Sequence, residues 1–269
     1  MNRLRSIVLL LSLSCSGNAL FAGDRKFTYT YESTVLPVGV RELEIWNTYR
    51  RDRSYFFRRL DQRTEFEIGL ANNLQTSFYL NTEWKVFDDN GMTAGGNSAS
   101  SVGVSFSNEW KLKLADRVAD PMGFALYGEW TLGLSETELE GKLILDKQAG
   151  PLLLVFNVVG EQEWETELVN GVEETAKEFK LQLLGGVSYD VTRAFALGLE
   201  ARNVNTYLNG DLAISTLFAG PAVSYTAETW WATLTFLPQV TAFKGATDGA
   251  LNLDDHEKFE TRLLFSFHL

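Results

Sequence analysis

The sequence predicts an all-β protein: twelve antiparallel strands closing an up-and-down transmembrane β-barrel. Three observations lead there. Long segments alternate apolar and polar residues with a period of two, the signature of a strand with one greasy and one wet face. Many of these segments exceed the five or six residues of an ordinary soluble strand and reach the roughly 9–11 needed to cross a bilayer at a tilt. The last of them stops at the chain terminus, with Phe259, Leu263, Phe265, Phe267 and Leu269 on one parity against Glu260, Arg262, Ser266 and His268 on the other.

In chain order, residues 1–22 read as a secretory signal, with Arg3 and Arg5 at its start, an apolar stretch Ile7–Leu13, and Ala19 or Ala22 before the cleavage point. Cys15, the sole cysteine, falls inside it, so the exported chain has no thiol chemistry; a lipoprotein reading through Cys15 lacks the usual leucine three residues earlier, where Ser12 stands. Residues 23–40 are expected as a short periplasmic lead-in and 41–269 as the barrel.

Strands are expected at 41–50, 61–72, 74–87, 100–115, 122–134, 138–147, 151–163, 176–190, 194–205, 212–226, 229–240 and 258–269. The fourth alternates most cleanly, setting Val102, Val104, Phe106, Trp110, Leu112 and Leu114 against Ser101, Ser105, Ser107, Glu109, Lys111 and Lys113. The third sets Phe78, Leu80, Trp84 and Val86 against Glu83 and Lys85, and the fifth sets Phe124, Leu126, Trp130 and Leu132 against Tyr127, Glu129 and Thr131. The eighth repeats the pattern, Phe179, Leu181, Leu183 and Val187 opposing Glu178, Lys180 and Gln182. The first, tenth and eleventh alternate less cleanly.

Connections supply a separate criterion, because membrane barrels place short turns on one side and longer loops on the other. Compact turns are expected at Asn72-Asn73, Asp116–Pro121, Gln148–Gly150, Asp190–Arg193 and Ala227–Thr229. Longer polar loops are expected at Asp88–Ala99, Trp164–Thr175 and Thr241–Glu257. An even strand count returns both termini to the periplasmic side. Trp46, Tyr49, Trp84, Trp110, Trp130, Tyr189, Tyr225 and Trp230 are candidates for aromatic belts at the two membrane interfaces. A soluble barrel with its apolar face turned inward is the competing fold.

With 24 basic and 35 acidic side chains the formal charge is −11, and removal of the signal takes two arginines and no acid with it. A phosphate polymer needs a clustered basic surface, so nucleic acid is excluded as a partner. Mean hydropathy near zero, at −0.09, suits a barrel with one wet face better than a bundle of apolar helices.

The step Thr34-Val-Leu-Pro-Val-Gly39, followed by the glutamate-rich strand Val40-Arg-Glu-Leu-Glu-Ile-Trp46, resembles the opening of small, largely uncharacterised proteobacterial outer-membrane barrel families. The closing strand resembles the signal by which such barrels are recognised for assembly, with Phe265, Phe267 and Leu269 in the signal positions and leucine where the usual last residue is phenylalanine. This resemblance implies a porin-like barrel in the cell outer membrane, in contact with its lipid, lipopolysaccharide and the barrel assembly machinery. It implies no activity.

Charges are expelled from the lipid face at a cost of roughly 2–4 kcal/mol for a mid-plane Lys or Arg. The lumen is therefore expected to collect Glu42, Glu44, Glu65, Glu67, Glu83, Glu109, Glu129, Glu140, Glu178, Glu200 and Glu260, beside Lys85, Lys111, Lys113, Lys142, Lys180, Arg202 and Arg262. Two functions fit: a passive or weakly selective pore for small solutes or ions, biased by its charged rings, or a closed structural barrel that makes surface contacts through acidic loops. An outer-membrane hydrolase is a third class, but of the two histidines His268 adjoins the terminus and His256 sits in an acidic run with no serine motif to serve. No catalytic residue, metal site or cofactor is expected. Gly103, Gly128, Gly133, Gly141, Gly185, Gly186 and Gly198 are read as ordinary barrel bends rather than ligand contacts.

Overall fold

The computed structural model describes residues 24–88, 98–169 and 171–269. The expected signal and most of the expected Asp88–Ala99 loop lie outside the described residues. The strands are β1 (Arg41–Arg51), β2 (Phe57–Ala71), β3 (Leu74–Asp88), β4 (Ser98–Ala115), β5 (Gly123–Gly133) and β6 (Glu136–Ala149). They continue as β7 (Leu152–Val169), β8 (Val172–Asp190), β9 (Phe195–Leu208), β10 (Asp211–Thr226), β11 (Trp230–Lys244) and β12 (Phe259–His268). Each pairs antiparallel with its chain neighbours, and β1 pairs with β12 from Glu42 opposite His268 to Arg51 opposite Phe259, closing the barrel. Closure leaves no sheet edge with unpaired backbone groups, the condition for a sheet to sit in lipid.

The direction of the two faces follows the charges. Phe106, Trp110, Leu126 and Trp130 point outward, 36–47% exposed, while the intervening Lys111 and Glu129 point inward at 7% and 6%. Phe78, Phe106 and Trp130 form a continuous aromatic row across the outer wall, with ring centroids 6.4 and 5.7 Å apart. An apolar surface spread over the whole circumference of a barrel is a lipid-facing surface.

Two expectations are corrected. Trp46 is not part of an outer belt: it shares the parity of Glu42 and Glu44 and lies buried inside. The expected Trp164–Thr175 loop is mostly strand, since β7 runs to Val169 and pairs with β8 through Thr166 opposite Thr175 and Val169 opposite Val172. Its strand character is hidden in sequence because a hairpin projecting into water needs no apolar face. Gly171, at φ +80°, makes the tight reversal that lets the ladder run that far. The uneven alternation of the tenth strand has a structural cause in register shifts at Ser215/Thr216 and Leu217/Phe218.

A further feature lies within residues 23–40. From Phe27 to Leu36 the chain runs inside the barrel, at the end where the termini lie, with Phe27, Thr28, Thr30, Ser33 and Leu36 fully buried. An interior twelve strands wide is not filled by its own wall side chains, and this segment occupies the space. At the opposite end the β11–β12 connection folds inward: Gln239 Nε2 donates to Asn252 O (2.8 Å) and Asn252 N donates to Gln239 Oε1 (2.6 Å).

Candidate functional site

The candidate site is the lumen, built from the inward parity of all twelve strands and the segment they enclose. Backbone groups of that segment have no strand partner, and buried N–H groups left unpaired are costly. Polar wall residues supply the partners. Glu200 on β9 accepts hydrogen bonds from the backbone N of Thr28 (3.2 Å), Tyr29 (2.8 Å) and Thr30 (2.6 Å). Asn157 on β7 takes both sides of Tyr31, accepting from its N (2.6 Å) and donating to its O (2.9 Å). Asp146 on β6 accepts from Ser33 N (2.9 Å) and Ser33 Oγ (2.6 Å), and Gln75 on β3 accepts from Leu36 N (2.9 Å).

The segment's aromatic side chains fall on every second residue and find apolar patches on the wall. Phe27 packs with Leu153, Val155 and Ala222; Tyr29 with Val159, Leu184, Phe218 and Leu237. Tyr31 packs with Trp46, Ala125, Tyr127 and Ile144, its ring 5.2 Å from Tyr127 in an edge-on arrangement. Phe27 is seated by two glycines: a Cβ on Gly186 would come within 2.7 Å of its ring, and one on Gly198 within 3.3 Å. These two positions are a socket rather than barrel bends.

All eighteen charged residues expected in the lumen have inward or lumen-rim side chains, and the structure sorts them into groups. Glu42, Glu44, Glu65, Glu67, Glu109 and Lys111 are buried together at the closed end. Glu129 pairs with Arg63 (3.3 Å) and accepts from the Tyr127 hydroxyl, and Lys142 pairs with Glu140 (2.8 Å). Toward the loop end Lys180 bridges Glu161 (2.9 Å), Glu163 (2.8 Å) and Glu178 (3.1 Å). Glu83 pairs with Arg59 (2.7 Å) and Lys85 (3.1 Å). On the far wall Glu260 pairs with Arg202 (3.1 Å), and Arg262 stacks 3.6 Å over the Tyr29 ring. Glu200 holds the segment as above, while Lys113 sits at the rim beside Asp116 (3.4 Å).

Burial divides this interior in two. The carboxylates at the closed end are shut off from solvent, Glu42 at 0%, whereas the loop-end charges around β2, β3 and β8 remain wet, with Lys85's side chain at 32%; Glu257 and Glu260 are buried where the β11–β12 connection folds in. A cavity of about 290 Å³ opens at that end between Arg53, Tyr55, Phe57, Arg59, Lys85 and Phe87.

Outside the strands, Asp116 accepts from Val118 N (2.9 Å) and Ala119 N (3.1 Å), and these backbone donors hold its carboxyl below the usual range. His256 packs edge-on against Phe218 with centroids 5.8 Å apart; burial, helped by Arg202, pushes its pKa down to about 4. His268 lies between Glu42 (3.0 Å) and Asp24 (3.8 Å). Phe265, Phe267 and Leu269 project from the outer wall, with the Phe265 and Phe267 centroids 4.6 Å apart.

A closed antiparallel barrel of twelve strands with a charged interior and an apolar exterior defines a transmembrane β-barrel of the outer-membrane type. The chain belongs to the Family of unknown function (DUF6662), whose family model matches residues 19–269. No curated protein sequence matches it. Among solved structures it is similar to the COG4313 outer membrane channel from Pseudomonas putida F1, at 12% identity and a TM-score of 0.60, over 90% of this chain and 100% of that one. It is also similar to the NanC porin (14%, 0.52, over 84% and 100%) and to the KdgM porin in complex with disordered oligogalacturonate (10%, 0.51, over 85% and 99%).

Proposed function

We propose that the protein is an outer-membrane channel for small ions or solutes, with its narrowest stretch set by the amino-terminal segment. The observation that carries this reading is the division of the lumen: its loop-end half is charged and in part wet, along β2, β3 and β8, and its other half is filled by a separate peptide rather than by the wall itself. A peptide held by hydrogen bonds and aromatic contacts can shift; side chains rooted in twelve paired strands cannot vacate the interior. Similarity to channel and porin barrels supports the same reading.

Purified protein in planar lipid bilayers tests it. Discrete conductance steps, small for a twelve-stranded barrel, are expected; no steps over a range of salt concentrations would remove the channel. The second reading, a closed barrel that contributes envelope structure and surface contact through its loops, is favoured by the burial of nine of the ten residues Phe27–Leu36 and would then stand.

The cell outer membrane is the location this reading requires, with the termini in the periplasm and the β7–β8 hairpin outside. The apolar exterior suits acyl chains, and the outer hairpins suit contact with lipopolysaccharide. Phe265, Phe267 and Leu269, outward on the last strand, suit recognition by the barrel assembly machinery. The reading assigns no catalytic step to the chain.

A further inference from the structure

At the closed end of the lumen three glutamates converge from the two strands that flank β3. Glu65 and Glu67 on β2 and Glu109 on β4 each offer a carboxylate oxygen, these atoms lying within 4.8 Å of one another. All three are buried; neither oxygen of Glu109 has a hydrogen-bond partner among the described residues, and Glu65 meets the carboxyl of Glu67 but no neutral or cationic donor. Glu67 belongs to a second such trio with Glu42 and Glu44, so five carboxylates share one enclosed region. The cations facing them are Lys111, Arg25, Arg63 and Lys142, and Arg63 also pairs with Glu129 and Lys142 with Glu140, so carboxylates stay in excess.

An independent observation marks the space as a ligand position. Ser77 on β3 stands directly between the carboxylates, opposite Glu67 on one side and Glu109 on the other. Residues directly opposite in a ladder share a face, so its hydroxyl enters the same space. It is fully buried, and it donates to neither carboxylate. A hydroxyl beside two carboxylates ordinarily donates to one of them. The Tyr79 hydroxyl, opposite Glu65, is likewise buried and unpartnered among the described residues. Beside them a cavity of about 10 Å³, bordered by Glu44, Glu67 and Lys111, has the size of roughly one water molecule.

We propose that Glu65, Glu67 and Glu109, with the Ser77 hydroxyl, bind a calcium ion. Hard oxygen donors select a hard cation, and Ca²⁺ accepts irregular coordination at roughly 2.3–2.6 Å, placing opposite ligands about 4.6–5.2 Å apart. Mg²⁺ needs ligands about 4.2 Å apart across an octahedron and retains several waters, for which this packed region has no room. The ion offsets the excess of carboxylates and ties β2 to β4 across β3, beneath the amino-terminal segment.

The test uses full-length barrel refolded in detergent free of lipopolysaccharide, stripped with EDTA, reloaded with CaCl₂ and dialysed, with bound calcium measured by mass spectrometry. One calcium per chain is expected, together with a thermal midpoint that falls on EDTA treatment. Glu65→Gln/Glu109→Gln and, separately, Ser77→Lys, which puts an ammonium in the ion's place, should bind none and become indifferent to EDTA. Glu138→Gln/Glu161→Gln, in a wetter acidic trio, should keep the ion. Heat-modifiable gel mobility confirms folding of each variant. Wild type without bound calcium, a Glu65→Gln/Glu109→Gln barrel that retains it, or loss of it in Glu138→Gln/Glu161→Gln would each overturn the site; so would folded Ser77→Lys that still binds.

Discussion

Replacing Glu200 by alanine probes the hold of the barrel on its amino-terminal segment. Glu200 is 1% exposed and receives three consecutive backbone N–H groups, the shorter two at 2.8 and 2.6 Å. A hydrogen bond to a charged group contributes about 1.5–3 kcal/mol net, so losing the two shorter bonds costs segment docking about 3–6 kcal/mol. At about 1.4 kcal/mol per factor of ten, the undocked population rises roughly a hundred- to ten-thousand-fold. The barrel wall itself loses a buried charge, so the cost falls on docking rather than on the strand ladders. Hydrogen exchange of the peptide spanning residues 24–36, followed by mass spectrometry, reads the effect: its amides should exchange far faster in Glu200→Ala while those of β9 and β10 stay protected. Unchanged protection at Thr28–Thr30 would refute the anchoring role.

Gly186→Val should force Phe27 from its socket, because the new Cβ would lie 2.7 Å from the ring; an overpacking cost of about 1–3 kcal/mol should appear as protease sensitivity of the segment with normal barrel mobility on gels, and a resistant segment would count against the socket. His256 has a pH signature. Unfolded histidine takes its proton near pH 6.5 and the folded one near 4, so the unfolded state binds more protons between these values and stability falls as pH drops through that window. His256→Phe keeps the ring contact with Phe218, and its melting midpoint should fall less than wild type between pH 7.5 and 4.5; parallel curves would contradict the burial of a neutral ring. If the channel conducts, Glu138→Gln/Glu163→Gln should reduce cation preference, seen as a reversal potential closer to zero in a salt gradient, and an unmoved potential would exclude these glutamates from the ion path.

The wall was legible in the sequence because a membrane barrel enforces alternation. Lipid rejects charge on one face, so Glu109, Lys111 and Glu129 declare their direction, and their neighbours Trp110 and Trp130 declare the opposite one. Legibility failed where that constraint lapses. The β7–β8 hairpin stands in water and needs no apolar face, so Glu165 opposite Ala176 and Thr166 opposite Thr175 carried no signal of pairing. The filled lumen was hidden for a different reason. Phe27, Tyr29 and Tyr31 alternate with Thr28 and Thr30 just as a strand would, but they pack against a wall formed by residues more than a hundred positions away, such as Leu153, Leu184 and Phe218. Trp46 betrayed that wall: an aromatic on the parity of Glu42 and Glu44 has no reason to face a water-filled pore, and it faces Tyr31 instead.

The claim on which both the channel reading and the anchoring argument depend is that residues 24–36 lie within the barrel. Ser33 Oγ donates to Asp146 Oδ1 at 2.6 Å, and the sole natural cysteine, Cys15, falls in the expected signal, so a Ser33→Cys/Asp146→Cys pair can be introduced cleanly. Mild oxidation of the folded barrel should link the two within the chain, while Ser33→Cys paired with a cysteine at the outward-facing Leu145 should not cross-link. Equal linkage to both positions, or none to position 146 in a barrel shown to be folded, would place the segment outside the lumen and contradict the structure described above.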